Sequence, residues 1–294
     1  MNIINFSKGS KQLNDINDNV AIIGMFDGIH KGHKKIIKKL FKQSRKTRFQ
    51  KTVITFKEEF VKNNSVSLKL FGDKDKKKFF EGLNFNNYIL LNNDDRNIEA
   101  QKFIKILQEH YNVKQIIVGE DFRFGENRQG DIDLLKKFFG KKNVFVIKRK
   151  NSAISTTKIK GFLQNSQIKK ANKFLLTPYS VEGVVVQGKQ LARKIGYPTA
   201  NIDILNNLLV PFGVYLTKII IDNQEYDGLT CYLKKGENVV LETYALKYSG
   251  TIYGEIITVK FIEFIRSNVS ISSLEELKMF LDNDYKKALK MIKK

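Results

Sequence analysis

The hydrophobic period of this chain changes once, near residue 179, and no other feature constrains the fold as much. From about residue 19 to 149, short β-rich runs alternate with amphipathic stretches: NVAIIGMF, HKKIIKKLFKQ, KTVITF, KDKKKFFEGL, NYILLN, IEAQKFIKILQEHY, VKQIIVG, DIDLLKKFFG and NVFVIKR. In the second run Ile36, Ile37, Leu40 and Phe41 share a helical face, and in the sixth Phe103, Ile104, Leu107 and Tyr111 do. Strands alternating with helices predict a parallel sheet covered on both faces. Such a sheet binds ligands beyond the carboxyl ends of its strands. A helical pattern continues through TTKIKGFLQNSQIKKANKFLL. From Tyr179 the segments YSVEGVVVQG, GVYLTKIIID, EYDGLTCYL, NVVLETYALKY and EIITVKFIEFI follow with only short polar breaks, which predicts an antiparallel barrel or sandwich. A last helix is expected over SLEELKMFLDNDYKKALKMI, with Ser273 as N-cap and Leu274, Leu277, Leu281, Tyr285 and Ala288 on one face. The expectation is an α/β chain of two domains, 1–170 and 171–294, with the boundary between Asn165 and Tyr179.

The 294 residues, 42% of them hydrophobic, suffice for cores of this size. No apolar run approaches the ~20 residues of a membrane span, and the first residues lack the order of a secretory signal. A single cysteine, Cys231, excludes an internal disulfide framework and fits a reducing cytoplasm. The net charge of +22 suggests a polyanion as partner. Of 52 basic residues, however, only eight are arginine, and the lysines are dispersed over almost every segment. Abundant Asn and Ile, three Pro and no Trp point to AT-rich coding instead. Specific nucleic-acid footprints cluster their charge, so no specific nucleic-acid partner is expected; the charge can still attract phosphorylated small molecules.

Two of the three histidines, His30 and His33, lie in GMFDGIHKGHKKII, between the first predicted strand and the helix that follows. Gly24, Gly28 and Gly32 bracket them, and glycines at such a turn let backbone amides approach a phosphate chain. The helix N-terminus aims its free N–H groups and positive dipole end at the same anion. His33 opens that helix and His30 precedes it by a short loop, so both imidazoles can donate to a phosphorus oxygen that gains charge. Two histidines with no acidic partner at a familiar spacing are too few for a metal site. The patterns G-x-x-x-x-G-K-[ST] and G-x-G-x-x-G are absent, so a nucleotide here is held differently.

GMFDGIHKGH resembles the G-x-F-D-G-x-H-x-G-H motif of flavin adenylyltransferases, within the nucleotidyltransferase superfamily. VGEDFRFGENRQGD resembles a V-G-x-D-F-x-F-G-x-x-R-x-G-D segment of FAD synthetase modules, and ISTTKIK their I-S-S-T-x-I-R. The resemblance implies a Rossmann-like nucleotidyltransferase domain that joins FMN and ATP into FAD and pyrophosphate, with Mg2+ sharing the phosphate charge. It implies that His30 and His33 stabilise the transferring phosphoryl and that Gly24, Phe26, Asp27, Gly28 and Gly32 shape the nucleotide pocket. Ser155, Thr156, Thr157 and Lys160 would lie along the phosphates, and Gly119, Asp121, Phe122 and Arg128 in the loop that receives the flavin or adenine. Two departures stand out: Lys160 replaces the usual Arg, losing bidentate geometry, and FKEEF stands where the family carries P-H-P.

GVVVQGKQLARKIGYPTANI is the second dense stretch. Thr199 and Asn201, two residues apart after Pro198, could offer two oxygens to a hard cation or phosphate, although by themselves they are better explained as a polar turn. The stretch resembles the G-x-V-x-x-G-x-x-x-G-R-x-L-G-x-P-T-A-N motif of riboflavin kinases, a small β-barrel often fused behind FAD synthetase. The resemblance implies that Thr199 and Asn201 position magnesium and ATP, that Gly188 and Arg193 belong to a glycine-rich flap, and that Glu242 is the general base. By its period of two, Glu242 shares a strand face with Val240, Tyr244 and Leu246, where an unpaired carboxylate is costly. Ala192 replaces a Gly, Tyr244 a His, and GLTCYLKKGEN the segment N-I-G-x-x-P-T. The implied protein converts riboflavin to FMN and FMN to FAD with two ATP. An FAD synthetase with an impaired kinase half, and a basic nucleic-acid-binding protein that kept the fold, remain open beside it.

Overall fold

A computed structural model of the chain describes residues 1–8, 13, 16–57, 68–148, 154–188, 192–204, 208–236 and 238–293. Two units emerge, Met1–Thr156 and Thr157–Lys294.

The first unit is built on a parallel sheet of β1 (Asn2–Asn5), β2 (Asn19–Ile23), β3 (Gln50–Phe56), β4 (Asn87–Leu91), β5 (Val113–Gly119) and β6 (Val144–Ile147). Their order across the sheet is β1-β4-β3-β2-β5-β6. Alternate side chains of the central strands enter opposite cores, as a pleated strand requires. Ala21, Ile23, Ile54, Ile116 and Val118 join one cluster with Phe103, Ile104 and Leu107 of α3 (Ala100–Glu109) and Leu135 of α4 (Ile132–Phe139). Val20, Ile22, Val53 and Ile117 are buried on the other face. There α1 (Lys31–Thr47) lies against β2, β3 and β5, burying Ile37 and Leu40. A fourth helix, α2 (Asp73–Gly82), buries Phe80. From β2 the chain moves outward through β3 and β4, then crosses to β5 and β6 on β2's other side. The crevice between the carboxyl ends of β2 and β5 is thus the topological switch point.

Strand β1 was not anticipated. Its four residues carry no usable periodicity, and their pairing with β4, from Asn2 with Asn87 to Asn5 with Leu90, defines it. Glu58, Glu59 and Phe60, on which the P-H-P departure falls, lie outside the described residues.

In the second unit, the helical stretch is two helices, α5 (Thr156–Gln164) and α6 (Ile168–Phe174), separated where Ser166 adopts φ 58°. The rest is a closed antiparallel barrel in the order β10-β11-β8-β7-β12-β9. Its strands are β7 (Ser180–Val186), β8 (Ala200–Asp203), β9 (Gly213–Ile221), β10 (Gln224–Lys235), β11 (Asn238–Ala245) and β12 (Ile256–Arg266). β8 falls in the stretch that breaks strand periodicity; it is needed because it joins β7 to β11 and so completes the cylinder. Inside, the buried hydroxyls of Thr217, Thr230 and Thr243 bond in series at 2.8 and 2.5 Å, so these polar groups are satisfied.

The last helix, α7 (Leu274–Ile292), starts at Ser273, whose side chain accepts the Glu276 N–H. It covers the outer surface of β9, β10 and β12, packing Ala288, Tyr285 and Met291 against Val214, Leu216 and Leu229. The bidentate pair Arg266–Asp284, at 2.7–3.0 Å with Asp284 1% exposed, fastens it to β12. Leu274, placed on the apolar face by period alone, is exposed, because the helix meets the barrel only after its first turn.

Candidate active site

Between β2 and α1 the chain makes a turn that its residue types resist. Phe26 adopts φ 48°, a left-handed conformation that a buried aromatic residue takes only under constraint. The constraint is visible: its ring packs edge-on to Phe80 and tilted against His33, both at 5.1 Å. Gly28 adopts φ 63°, and a Cβ there would stand 2.2 Å from Leu70 Cδ1. The Leu70 N–H donates to Asp27 Oδ1 at 2.7 Å, and the Thr156 hydroxyl donates to the Asp27 carbonyl at 3.1 Å. Asp27 and Gly28 therefore hold the turn.

His30 proves to be the N-cap of α1 itself. Its Nδ1 accepts the Gly32 N–H at 3.1 Å, while Nδ1 of His33, at the third helical position, accepts the His30 N–H at 3.3 Å. The two imidazoles form a reciprocal capping box and stack with centroids 3.9 Å apart and planes 17° apart. His30 is only 8% exposed. Because each Nδ1 accepts a backbone N–H, the proton of each neutral ring sits on Nε2. The fold thus sets both tautomers and leaves Nε2 as the donor. A Cβ on Gly32 would come within 2.8 Å of His30 Cε1, so the stack requires glycine there.

These residues open onto a cavity of about 730 Å³, within the usual range for small-molecule sites. Its lining includes Gly24, Phe26, Asp27, His30, Gly32 and His33, then Gly119, Asp121, Phe122 and Arg128, then Ser155 and Thr156. Three sequence segments thus meet at one cavity. Thr157 and Lys160 lie on α5 in the second unit. The loop after β5 is closed by a bridge between Phe124 and Gly130, and Phe122 and Phe124 stack at 5.5 Å. Asp131, N-cap of α4, accepts the Leu134 N–H at 2.9 Å and pairs with Arg123 at 3.0 Å. That hydrogen bond, then Arg123, holds its carboxyl below the usual range.

Arg96 and Arg123 also line the cavity, and neither was singled out from sequence. The Arg96 guanidinium lies 4.6 Å over the Phe56 ring and 3.7 Å from Met25 Sδ. Of only eight arginines in the chain, three, Arg96, Arg123 and Arg128, line this cavity, but no local pattern in the sequence marks Arg96.

In the barrel, Asn201 on β8, Glu242 on β11 and Cys231 on β10 are register neighbours, forming one row across three strands. Leu241 and Thr243 point into the barrel and are buried, so Glu242 and Tyr244 occupy the outer face, half-buried. The face that Glu242 shares with Val240 and Tyr244 is thus the outer one: closure of the cylinder, not the alternation, decides which side is interior. Gly188 abuts this row, and a Cβ there would stand 1.8 Å from Asn201 Nδ2. Thr199 immediately precedes β8 and is half-buried; Arg193, on a 3-10 turn over Ala192–Ile195, is exposed.

Residues 12–161 match the family described as FAD synthetase, and residues 175–292 the family described as riboflavin kinase. The bifunctional riboflavin kinase/FMN adenylyltransferase of Buchnera aphidicola subsp. Schizaphis graminum is 33% identical, over 94% of this chain and 95% of its own. That of Escherichia coli K12 is 30% identical, over 90% of each. A trifunctional protein RibF/MnmA of Mycoplasmoides gallisepticum is 37% identical over the whole chain, which spans 43% of that protein's length. A crystal structure of a protein called macrolide-efflux protein, from Streptococcus pneumoniae, shares the fold with a TM-score of 0.84 at 27% identity, covering 97% of this chain and 98% of that one. Among the described residues of this chain, no helix is long and apolar enough to cross a membrane.

Proposed function

The chain belongs to the bifunctional riboflavin kinase/FMN adenylyltransferase family, and from that premise we propose how its two halves, 1–170 and 171–294, divide the work. The first transfers the adenylyl group of ATP to FMN, and the second phosphorylates riboflavin. The stacked capping box of His30 and His33 carries the reading: it presents two Nε2–H donors beside a helix N-terminus at the mouth of a ligand-sized cavity.

When a phosphate oxygen of FMN attacks the α-phosphorus of ATP, negative charge grows on the α-phosphoryl oxygens and pyrophosphate departs. The two Nε2–H groups and the first N–H groups of α1 meet that charge without reorganising. Gly24 and Gly32 let the phosphate chain approach the backbone, and Ser155 and Thr156 add hydroxyl donors along it. Phe122, Phe56 and Phe103 offer apolar surface to a planar ring, with Arg128 and Asp121 at its polar edge. Burying a ring against such faces is the main source of affinity in small-molecule sites.

In the barrel, Glu242 accepts the proton of the riboflavin 5′-hydroxyl as that oxygen attacks the γ-phosphorus of ATP. It lies half-buried on the outer face of the barrel, and Asn201, its register partner, lies beside it. The Thr199 hydroxyl and the Asn201 amide carbonyl are hard oxygens suited to Mg2+, which keeps most of its water and phosphate ligands. Among the described residues, no group of three or more His, Cys, Asp or Glu could hold a metal ion. Such a site depends on phosphate oxygens from the nucleotide, and bound magnesium would offset phosphate charge. The substrates are small molecules, and the single cysteine fits work in a reducing cytoplasm.

Incubating the full chain with MgATP and either riboflavin or FMN, then separating the flavins by chromatography, tests the reading. FMN should form from riboflavin, and FAD from FMN. FAD without FMN formation would remove the kinase half from it, and no flavin product would overturn both.

A further inference from the structure

We propose that the C-terminal helix α7 positions the nucleotide-binding loop of the kinase barrel through a hydrogen bond from Tyr197 to Asp282. The inference rests on the reading of the barrel as the riboflavin-phosphorylating half. Tyr197 sits inside the segment Gly196-Tyr197-Pro198-Thr199, directly before the residues assigned to ATP and magnesium. Its hydroxyl donates to Asp282 Oδ1 at 2.5 Å, across 85 residues of sequence, although its side chain is 9% exposed. Its ring stands edge-on to Tyr285, one turn along the same helix, at 6.4 Å, and edge-on to Tyr244 at 5.5 Å. Tyr244 lies two residues from Glu242 on the outer face of β11. One side chain therefore touches the loop, the helix and the strand that carries the proposed base.

Other features favour a positioning role over ordinary packing. Asp282 belongs to a chain with 52 basic residues, yet among the described residues its hydrogen-bond partner is a phenol and no lysine or arginine forms an ion pair with it. Burial, then Asp282, raises the Tyr197 hydroxyl above the usual phenol range, so it stays a donor at any physiological pH. Among the described residues the loop's own backbone bonds are local: the Gly196 N–H donates to the Arg193 carbonyl at 3.2 Å and the Tyr197 N–H to the Ala192 carbonyl at 2.9 Å, Gly196 adopts φ 90°, and Pro198 donates nothing, while the Ala192–Ile195 turn also lies against α7. The helix that supplies Asp282 is itself fixed, because Asp284 is locked to Arg266. Glu242, by contrast, is held by ladders on both sides through β8 and β10. Loss of the Tyr197 bond should therefore loosen the nucleotide loop and leave the base in place.

The split that follows is specific. Tyr197→Phe keeps the ring and removes the donor; Asp282→Ala removes the acceptor; Asp282→Asn keeps an acceptor oxygen. The first two should each raise KM for MgATP in riboflavin phosphorylation about tenfold, because ATP must then order the loop on binding. The kcat should stay within about twofold, and its pH profile should not move. Asp282→Asn should recover most of the affinity. The Tyr197→Phe/Asp282→Ala double variant should match the singles, since all remove the same bond. FAD formation from FMN, measured on the same samples, controls for the first unit, and the thermal unfolding midpoint of each variant reports whether the barrel is folded. An unchanged KM in Tyr197→Phe, a fall in kcat at constant KM, or additive effects in the double variant would overturn the proposal even if Asp282→Ala failed to fold. A parent protein that makes FAD but never phosphorylates riboflavin would overturn the barrel reading, and the proposal with it.

Discussion

Replacing His33 by asparagine should separate the structural and chemical duties that one side chain combines. The Oδ1 of Asn branches at the same position as the Nδ1 of His, so it can still accept the His30 N–H, a bond of 3.3 Å in the parent. That contact is long, and losing a cap outright costs about 0.5–2 kcal/mol; His33→Asn keeps it but gives up the ring contacts with His30 and Phe26, each worth about 0.5–1.5 kcal/mol, so stability should fall by about 1–3 kcal/mol. The Nε2 donor, however, has no counterpart in the shorter side chain. Removing one preorganised donor to a developing oxyanion costs about 2.7–4 kcal/mol, or about 10²–10³ in kcat. Adenylyl transfer should therefore drop by that factor in protein that is still folded at the assay temperature. His33→Ala should lose the same activity and also the cap. The assay is FAD formation from FMN and MgATP, with riboflavin phosphorylation in the same tube as the reference. FAD formation by His33→Asn within about threefold of the parent would refute the donor role. A parallel fall of both reactions would mean that the substitution had damaged the fold instead.

Three further outcomes follow from the same structure. Glu242→Gln should reduce FMN formation by about 10²–10⁴, the range for a positioned general base, and spare FAD formation; intact riboflavin phosphorylation would remove Glu242 from the chemistry. Gly28→Ala forces a Cβ to φ 63° and to 2.2 Å from buried Leu70, which should cost about 2–4 kcal/mol by strain and overpacking; an unchanged thermal midpoint would contradict the turn geometry. Asp131 has a carboxyl held below its unfolded value by the Leu134 N–H and then Arg123. Its contribution is therefore complete above the ordinary carboxylate range and is lost as pH falls through the depressed value. The parent should be more stable than Asp131→Asn by a constant amount above the ordinary carboxylate range, and the two acid unfolding curves should converge below about pH 4; a difference that does not change with pH would show that ionisation of Asp131 contributes nothing to acid stability.

Much of the fold was legible because it is local. The 3.6-residue period of α1 and α3, the runs of β2 through β6, and the Ser273 cap of α7 depend on neighbours within one or two turns. The H-x-G-H turn was legible for the same reason, since a strand, a glycine-bracketed loop and a helix start are all written in sequence order. The capping box was not foreseen, because it depends on side-chain rotamers that bring both Nδ1 atoms back to the backbone.

By itself the sequence determined the two-period architecture and the glycine-bracketed histidine turn between a strand and a helix, because hydrophobic periodicity and cap chemistry act over short distances. Tertiary structure alone decided the rest. The short strands β1 and β8 exist through the ladders of their partners. Glu242 faces outward because the barrel closes around Leu241 and Thr243. Arg96 reaches the cavity only when the loop after β4 folds against Phe56 and Met25. Tyr197 meets Asp282 only when α7 docks on the barrel. Periodicity specifies that a segment has two faces; register, closure and docking determine what each face meets, and those depend on residues far apart in the chain.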